Sequence, residues 1–247
     1  YDKLRELCTD ELYNSYISQL DTLKLKKGKN VMSDFEQHYI KIIGVSAKGA
    51  PAMFESFKDK CQHNSKSVRT IADGIAVRDA SQITLSHILE CVDEMVQVDD
   101  EEIANAILYL LEQQKIMVEG AGAVSVAAIL EGKFEFKKGA KIGAILSGGN
   151  IDVQTLSIII EKGLLKSHRK MIINVTLIDK PGALMALGDV LRSTGANIVK
   201  IDYDRFSTKL SYGDAKITIT LETKGKEHQD TIEKALKDAG YEFTQEF

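Results

Sequence analysis

A strict alternation of apolar and polar side chains at 215–222 restricts the fold of this chain more than any other feature. The segment reads Ala-Lys-Ile-Thr-Ile-Thr-Leu-Glu, which predicts a strand with one buried face and one wet face. Such a strand needs neighbouring strands and a covering layer, and the flanking patterns predict both. We expect strands at 171–178, 197–206, 211–222 and 241–246, with helices at 182–194 and 227–239. This βαββαβ order is the ferredoxin-like arrangement.

Upstream of the charged stretch Lys166–Lys170, strands and helices alternate as in an open α/β layer. The predicted elements are a helix at 1–20, strand 39–45, helix 50–60, helix 85–90, strand 95–98, a helix from Asp99, helix 118–130, strand 141–146 and helix 153–165. We therefore expect an unassigned helical segment at 1–38, an α/β domain at 39–166 and an α+β domain at 168–247. Glycines Gly195 and Gly240 follow the two helices of the last domain, where a positive φ is common.

The helix that begins near Asp99 has the clearest local signals. Asp99 can cap its first amides, and Glu102 follows three residues later, as in a capping box. The expected buried stripe consists of residues at three- and four-residue spacing, namely Ile103, Ile107, Leu110 and Leu111.

Composition excludes several classes of protein. The 32 basic and 36 acidic residues are interspersed, so no basic surface for nucleic acid is expected. The three cysteines lack CxxC spacing and the five histidines lack paired spacing, so neither a disulfide framework nor a metal site is predicted. We also find no export signal and no membrane segment, and we expect a protein of the reducing cytoplasm.

The segment Ser147-Gly148-Gly149-Asn150, directly after a predicted strand, is the first candidate for a binding site. Two glycines let a backbone lie flat against a ring or an anion. The same four residues are also typical of an ordinary strand-to-helix turn that uses glycine for positive φ. Taken alone, they favour that interpretation.

Two further segments, Thr70–Ile75 (Thr-Ile-Ala-Asp-Gly-Ile) and Glu119–Ala123 (Glu-Gly-Ala-Gly-Ala), precede this one in the chain. Together the three resemble the threonine ammonia-lyase and serine racemase family of pyridoxal phosphate (PLP) enzymes, from about Ile40 to Leu165. The resemblance implies part of a PLP fold type II domain, similar to the tryptophan synthase β subunit. It also implies a cofactor site that contains Ser147, Gly148, Gly74 and Glu119.

In that family, the serine that matches Ser147 binds the pyridine nitrogen, Gly74 matches a glycine close to cofactor and substrate, and Glu119 matches an acid beside the ring. Glu119 could instead be a helix-start carboxylate stabilised by the helix dipole. Some relatives hold a divalent metal through a glutamate near the position of Ser46, and serine there argues against a metal.

The implied reaction is dehydration and deamination of L-threonine, or of L-serine, with 2-oxobutanoate and ammonia as the products from threonine. No Schiff-base lysine or glycine-rich phosphate loop is recognisable at 1–38, which contains one glycine, Gly28. No catalytic residue can therefore be named, and we expect the chain alone to be inactive. The alternative is a non-catalytic amino-acid-binding module attached to an incomplete enzyme.

The last domain, Met171–Phe247, resembles an ACT domain, an amino-acid-sensing module. The resemblance rests on Asp179–Leu184 at the first strand-to-helix turn and on Gly195–Ile198 before the second strand. It implies a homo-oligomer with feedback by a branched amino acid, isoleucine first, as in isoleucine biosynthesis. The implied effector-binding residues are Asp179, Gly182, Ala183, Leu184, Asn197 and Ile198. The alternative is an α+β module that only dimerises.

Overall fold

The first strand lies where β-branched residues cluster, at β1 (Ile43–Ala47), and it pairs in parallel with β2 (Glu94–Val98). The computed structural model of the protein describes residues 40–206 and 210–246. Parallel neighbours require a crossover connection, which here contains two α-helices and a short 3₁₀ helix. The helices of this first part are α1 (Ala52–Asp59), α2 (Gln82–Cys91), α3 (Asp100–Tyr109), α4 (Gly120–Leu130) and α5 (Val153–Lys166).

Helix α3 begins with the predicted capping box. The backbone amide of Glu102 donates to Asp99 Oδ1 at 3.0 Å, and the amide of Asp99 donates to Glu102 Oε2 at 2.8 Å. The first of these bonds, followed by the ammonium of Lys48, lowers the pKa of Asp99. The stripe is buried as predicted at Ile103, Ile107 and Leu110 and half-buried at Leu111, and a π-helical turn at Leu110–Gln114 continues the helix.

The core of the first part forms where α3 meets α4, which approaches closely because its residues are small. Ala106 of α3 and Ala123, Ala127 and Ala128 of α4 are fully buried in this core. Helix α5 also packs against α3, and Gly163 makes this contact possible. A Cβ on Gly163 would lie 2.1 Å from Leu108 Cδ2.

The prediction of a strand at 141–146 is wrong, and the strand predicted at 39–45 lies at 43–47. Residues 141–150 have no regular secondary structure and are all exposed. A strand is stabilised by its ladder, and no described strand pairs with this segment. The helix predicted at 1–20 falls outside the described residues.

The second part has the predicted βαββαβ order. It comprises β3 (Lys170–Ile178), α6 (Ala183–Thr194), β4 (Asn197–Asp204), β5 (Asp214–Glu222), α7 (Lys226–Asp238) and β6 (Phe243–Glu246). The strands form an antiparallel sheet in the order β4-β5-β3-β6. The alternating segment is confirmed as a half-buried strand, because its apolar residues Ala215, Ile217, Ile219 and Leu221 are fully buried. Gly195 (φ 75°) and Gly240 (φ 80°) follow the helices in left-handed conformation, as predicted.

The charged stretch between the two parts is held by ion pairs to carboxylates of the first part. Lys166 pairs with Glu101, Arg169 with Glu112, and Lys170 with Glu161. Lys162 also pairs with Glu101, and together with Lys166 it lowers the pKa of that carboxyl group. Both parts therefore belong to one compact unit, Ile42–Phe247.

No helix in the described portion of the chain is long and apolar enough to cross a membrane.

Candidate cofactor site

Three segments distant in sequence meet at the carboxylate of Glu119. A Cβ built on Gly148 would lie 2.2 Å from Glu119 Cδ, and one built on Gly74 would lie 3.2 Å from Glu119 Oε1. Both glycines therefore leave space that the Glu119 side chain uses. The four residues predicted to form the cofactor site, Ser147, Gly148, Gly74 and Glu119, come from these three segments, and the structure brings them together.

Ser147 lies in an irregular loop, and the expectation that a strand presents it is wrong for the reason given above. Its carbonyl packs against α4, where a Cβ on Gly122 would lie only 1.7 Å from Ser147 O. Its hydroxyl has no hydrogen-bond partner within residues 40–206 and 210–246, and the residue is exposed. The backbone is thus fixed while the hydroxyl stays available. Gly148 has φ 73°, so the positive φ expected of a glycine in the alternative interpretation is present, although no strand precedes it.

The structure gives Glu119 a role that the sequence did not indicate. It occupies the position before α4, yet its side chain caps no amide of that helix. Instead, Oε2 accepts a 3.2 Å hydrogen bond from the Asn150 amide, and the Glu119 amide donates to Gly148 O at 3.3 Å. Glu119 therefore holds the 147–150 loop against the start of α4.

The segment that carries Gly74 is anchored by a residue that sequence reasoning missed. Asp100 Oδ1 accepts hydrogen bonds from Thr70 Oγ1 at 2.6 Å and from the Ile71 amide at 3.2 Å. Gly120 completes this contact, since a Cβ there would lie 2.3 Å from Ile71 O. In the sequence, only the glycine-rich start of α4 indicated that another segment packs closely against it. Asp73 starts a short 3₁₀ helix, Asp73–Ile75, and accepts from the Gly74 amide at 2.8 Å.

The residues predicted to bind an effector do not form one site within a single chain. Asn197 is level with Lys170 at the start of β3, because both pair with Glu222 of β5. Asp179 follows the last residue of β3. The nine residues of β3 span about 27 Å, so Asp179 and Asn197 lie at opposite ends of the sheet.

Each end of the sheet has its own polar contacts. Asp179 Oδ1 accepts from the Tyr203 hydroxyl at 2.9 Å and from Arg205 Nη2 at 3.3 Å, and the first of these bonds raises the pKa of Tyr203. Asn197 Nδ2 donates to Glu222 Oε2 at 2.9 Å. Among the other predicted effector residues, Gly182 (φ 86°) and Leu184 are exposed, whereas Ala183 and Ile198 pack against the core of the second part.

The sequence profile of the family described as pyridoxal-phosphate dependent enzyme matches residues 24–148, about half of the chain. The chain belongs to this family. It is 43% identical over 203 residues to an L-threonine ammonia-lyase of Thermotoga maritima, which covers 82% of this chain and 50% of that protein. An L-threonine ammonia-lyase of Geobacter sulfurreducens is 42% identical over 204 residues, with the same two shares. The chain thus spans about half the length of these relatives.

Among solved structures, maize serine racemase matches with a TM-score of 0.44 and 34% identity, over 52% of this chain and 40% of that one. The sequence profile and the two ammonia-lyases confirm the resemblance predicted from the three short segments. They also confirm PLP as the predicted cofactor, because enzymes of this family depend on it.

The described residues fit one side of the family's cofactor. A hydrogen bond to the ring nitrogen is one way in which a protein tunes PLP, and the unpartnered hydroxyl of Ser147 can make such a bond. Gly74 and Gly148 keep side chains away from the Glu119 carboxylate, so backbone borders this face of the site.

Within the described ranges, no group of three histidine, cysteine, aspartate or glutamate side chains could hold a metal ion. Ser46, which the resemblance places near a metal-binding glutamate of some relatives, is buried, and its hydroxyl lies within hydrogen-bond distance of Ala47 O (3.3 Å) and Ala50 O (3.4 Å). A short hydroxyl turned back on its own loop is a poor metal ligand.

Proposed function

We propose that the protein carrying this chain is a PLP-dependent lyase that dehydrates and deaminates L-threonine, and to a lesser extent L-serine. From threonine the products are 2-oxobutanoate and ammonia. The proposal is supported by membership of the PLP-dependent family and by the similarity to two L-threonine ammonia-lyases. The observation that carries it is that Gly74, Glu119 and Gly148 lie together next to Ser147. The hydroxyl of Ser147 makes no hydrogen bond to any described residue.

The choice of serine at position 147 favours elimination. PLP, when bound, supplies an electron sink for the negative charge that develops at the substrate α-carbon. A carboxylate at the ring nitrogen would keep that nitrogen protonated, whereas the neutral hydroxyl of Ser147 does so less strongly. Weaker electron withdrawal suits loss of a β-hydroxyl group better than transamination.

Glu119 would hold the site in shape through its bond to the Asn150 amide. Asp100 would keep Gly74 in place through Thr70 and Ile71. Positioning of this kind matters because small displacements of bound groups lower catalytic rates strongly.

We further propose that Met171–Phe247 is an ACT domain through which an amino acid, isoleucine first, exerts feedback on a homo-oligomer. Its support is the βαββαβ order with the β4-β5-β3-β6 sheet, together with the Asp179–Leu184 and Gly195–Ile198 segments. A ligand that touched both Asp179 and Asn197 would have to lie between two copies of the chain, because one copy places them at opposite ends of its sheet.

The enzymatic proposal is tested with the product of the natural gene that encodes this chain. We expect PLP-dependent formation of 2-oxobutanoate from threonine. Ser147→Ala should lower both this activity and the retention of PLP during dialysis, roughly threefold to tenfold for one lost hydrogen bond. Ser193→Ala is the matched control, since that hydroxyl only donates to Val190 O within α6.

PLP retention and product formation that are unaffected in Ser147→Ala would remove Ser147 from the site. Absence of 2-oxobutanoate with the natural gene product, PLP and threonine would contradict the lyase itself and favour a non-catalytic sensor. The 247-residue chain assayed alone should form no 2-oxobutanoate if the Schiff-base lysine lies elsewhere in the natural protein.

A further inference from the structure

Four consecutive acidic residues at the start of α3, Asp99-Asp100-Glu101-Glu102, form the acidic turn. Each of them binds a different segment of the chain. The partners, in that order, are Lys48, then Thr70 with Ile71, then Lys162 with Lys166, and finally Lys133. Every partner lies at least 29 positions away in sequence from the residue that it contacts. The acidic turn therefore joins the loop after β1, the Gly74 segment, α5 and the residues after α4.

The geometry of a helix makes this arrangement possible. Successive residues of a helix point about 100° apart, so neighbouring side chains of the acidic turn leave α3 in different directions. They share one turn of backbone, which the capping box of Asp99 and Glu102 closes at its start. A displacement of one carboxylate is therefore passed to its neighbours through the backbone of that turn.

Glu101 is the member of the acidic turn that binds α5. Its Oε1 atom accepts from Lys162 at 3.3 Å, and its Oε2 atom accepts from Lys166. The two lysines are four residues apart on one face of α5, so both ammonium groups reach the same carboxylate. Lys166 ends α5, about 20 Å along that helix from Val153, the residue at its start. Glu101 thus binds α5 at the end distant from the 147–150 loop.

A second contact on the same face of α3 restricts how α5 can move. Leu108 lies seven residues after Glu101, which is two turns along one face of the helix. It packs against Gly163 of α5, where an added Cβ would lie 2.1 Å from Leu108 Cδ2. The apolar contact and the ion pairs of Glu101 therefore fix the orientation of α5 relative to α3 at two points.

The ion pairs of Glu101 are open to solvent. The side chains of Glu101, Lys162 and Lys166 are between 51% and 60% exposed. Hydrogen bonds from Lys166 and then from Lys162 lower the pKa of Glu101, so this carboxylate is charged at neutral pH. Exposed pairs of this kind contribute little to global stability and are weakened by salt. Their removal should therefore change the local geometry of α3 more than the stability of the fold.

We propose that Glu101 is a positioning residue for the cofactor site. It holds α5 and thereby fixes the first turn of α3. Asp100, the preceding residue in that turn, then holds the segment that brings Gly74 to the Glu119 carboxylate. This role rests on the proposed PLP-dependent function, and it belongs to a residue outside the site itself.

The test is amide hydrogen exchange in the natural gene product, a measurement that does not require lyase activity. The Ile71 amide, which donates to Asp100 Oδ1, should exchange about threefold to tenfold faster in Glu101→Gln, because a looser turn opens this bond more often. Glu112→Gln is the matched control, since Glu112 pairs with Arg169 but lies outside the acidic turn. It should change the exchange of Ile71 less than about twofold. Thermal unfolding of both variants checks that the fold is intact.

Two further measurements separate positioning from a general loosening of the protein. Sodium chloride at about 1 M, where the screening length is about 3 Å, should accelerate Ile71 exchange in wild type and have a smaller effect in Glu101→Gln. With PLP and threonine, Glu101→Gln should lower kcat about twofold to fivefold and change KM less than about twofold, because a misplaced cofactor slows the chemical step. PLP should also be lost about twofold faster from this variant during dialysis.

Faster Ile71 exchange in Glu101→Gln but not in Glu112→Gln, together with the lower kcat, supports the positioning role. Unchanged exchange in Glu101→Gln, or equal acceleration in Glu112→Gln, overturns it. Unchanged kcat and PLP retention in spite of faster exchange also overturn it, because the Gly74 segment would then move without affecting the site. If wild type forms no 2-oxobutanoate, the lyase proposal fails, while exchange and PLP retention still decide the role of Glu101.

Discussion

Two stretches of this chain were both predicted as strands and have opposite outcomes. Residues 141–146 and strand β3 both contain several isoleucine and other aliphatic residues. Ile173 of β3 is fully buried within a four-stranded sheet, whereas Ile145 is 82% exposed in a loop. Local pattern thus identifies where a strand can form, and a neighbouring strand decides whether it does.

The comparison extends to function. In the sheet of the second part, each strand forms backbone hydrogen bonds with its neighbours. These bonds fix the positions of its residues. The loop at 147–150 is fixed at a few points by α4, through Gly122, Glu119 and the Asn150 amide. A loop held in this way can leave a hydroxyl such as that of Ser147 exposed.

The sharpest measurement of this difference is amide hydrogen exchange. Amides of β3 lie in an interior strand, whereas none of the amides at 141–149 has an acceptor among the described residues. We expect β3 amides to approach the protection set by global unfolding, about 5–15 kcal/mol, and those at 141–149 to exchange nearly as in an unfolded peptide. Strong protection at 141–146 would mean that the natural protein supplies a partner strand.

A second test uses two isoleucines that face each other across the sheet. Ile219 of β5 is fully buried and pairs with Ile201 of β4, which is 40% exposed at the sheet edge. Ile219→Ala should lower the free energy of unfolding by about 2–5 kcal/mol, because it leaves a cavity in the core. Ile201→Ala should lower it by roughly 1 kcal/mol. Urea denaturation measures both, and equal effects would show that the β4 edge is covered by a partner in solution.

The sequence was most informative where the deciding contact is local. Asp99 and Glu102 are three residues apart, so their mutual hydrogen bonds follow from helix geometry alone. The βαββαβ order was predictable for a related reason, since most of its connections are short and its strands alternate clearly. Gly195 and Gly240 were placed correctly because a helix end creates the need for positive φ by itself.

What could not be predicted depends on contacts between distant segments. The bond from Thr70 to Asp100 joins residues 30 positions apart, and no periodicity indicates it. The packing of Ser147 against Gly122 requires the arrangement of the loop on α4. The separation of Asp179 from Asn197 follows only from strand register.

A third prediction concerns the support of the 147–150 loop. Gly122→Ala should destabilise the fold by about 1–3 kcal/mol, because the new methyl group would meet the Ser147 carbonyl at 1.7 Å and the backbone must move. Gly143→Ala lies in the same exposed stretch with open space around it, so it should change stability by less than about 0.5 kcal/mol. Thermal unfolding measures both changes. A Gly122→Ala protein as stable as wild type would show that the loop is not held against α4.

The smallest change in stability is expected at the capping box. There the local hydrogen bond between Asp99 and Glu102 can be compared with the ion pair between Asp99 and Lys48, which are distant in sequence. Asp99→Ala removes the acceptor for the Glu102 amide and should lower the free energy of unfolding by about 1 kcal/mol. Asp99→Asn keeps an acceptor but loses the charge that pairs with Lys48 at 3.1 Å, so it should lower stability by less, roughly 0–1 kcal/mol. The Asn variant keeps the capping acceptor and removes the ion pair between Asp99 and Lys48.

The pH dependence measures what the negative charge of Asp99 contributes to stability. The pKa of Asp99 is lowered in the folded protein, first by the Glu102 amide and then by Lys48, so its charge stabilises the fold above the ordinary aspartate pKa of 3.8. That contribution should disappear as the pH falls below 3.8 through the lowered pKa. Denaturation of wild type and Asp99→Asn at pH 7 and pH 3 measures it. A stability difference that stays constant between these pH values, or that ignores added salt, would show that Lys48 adds nothing to the cap.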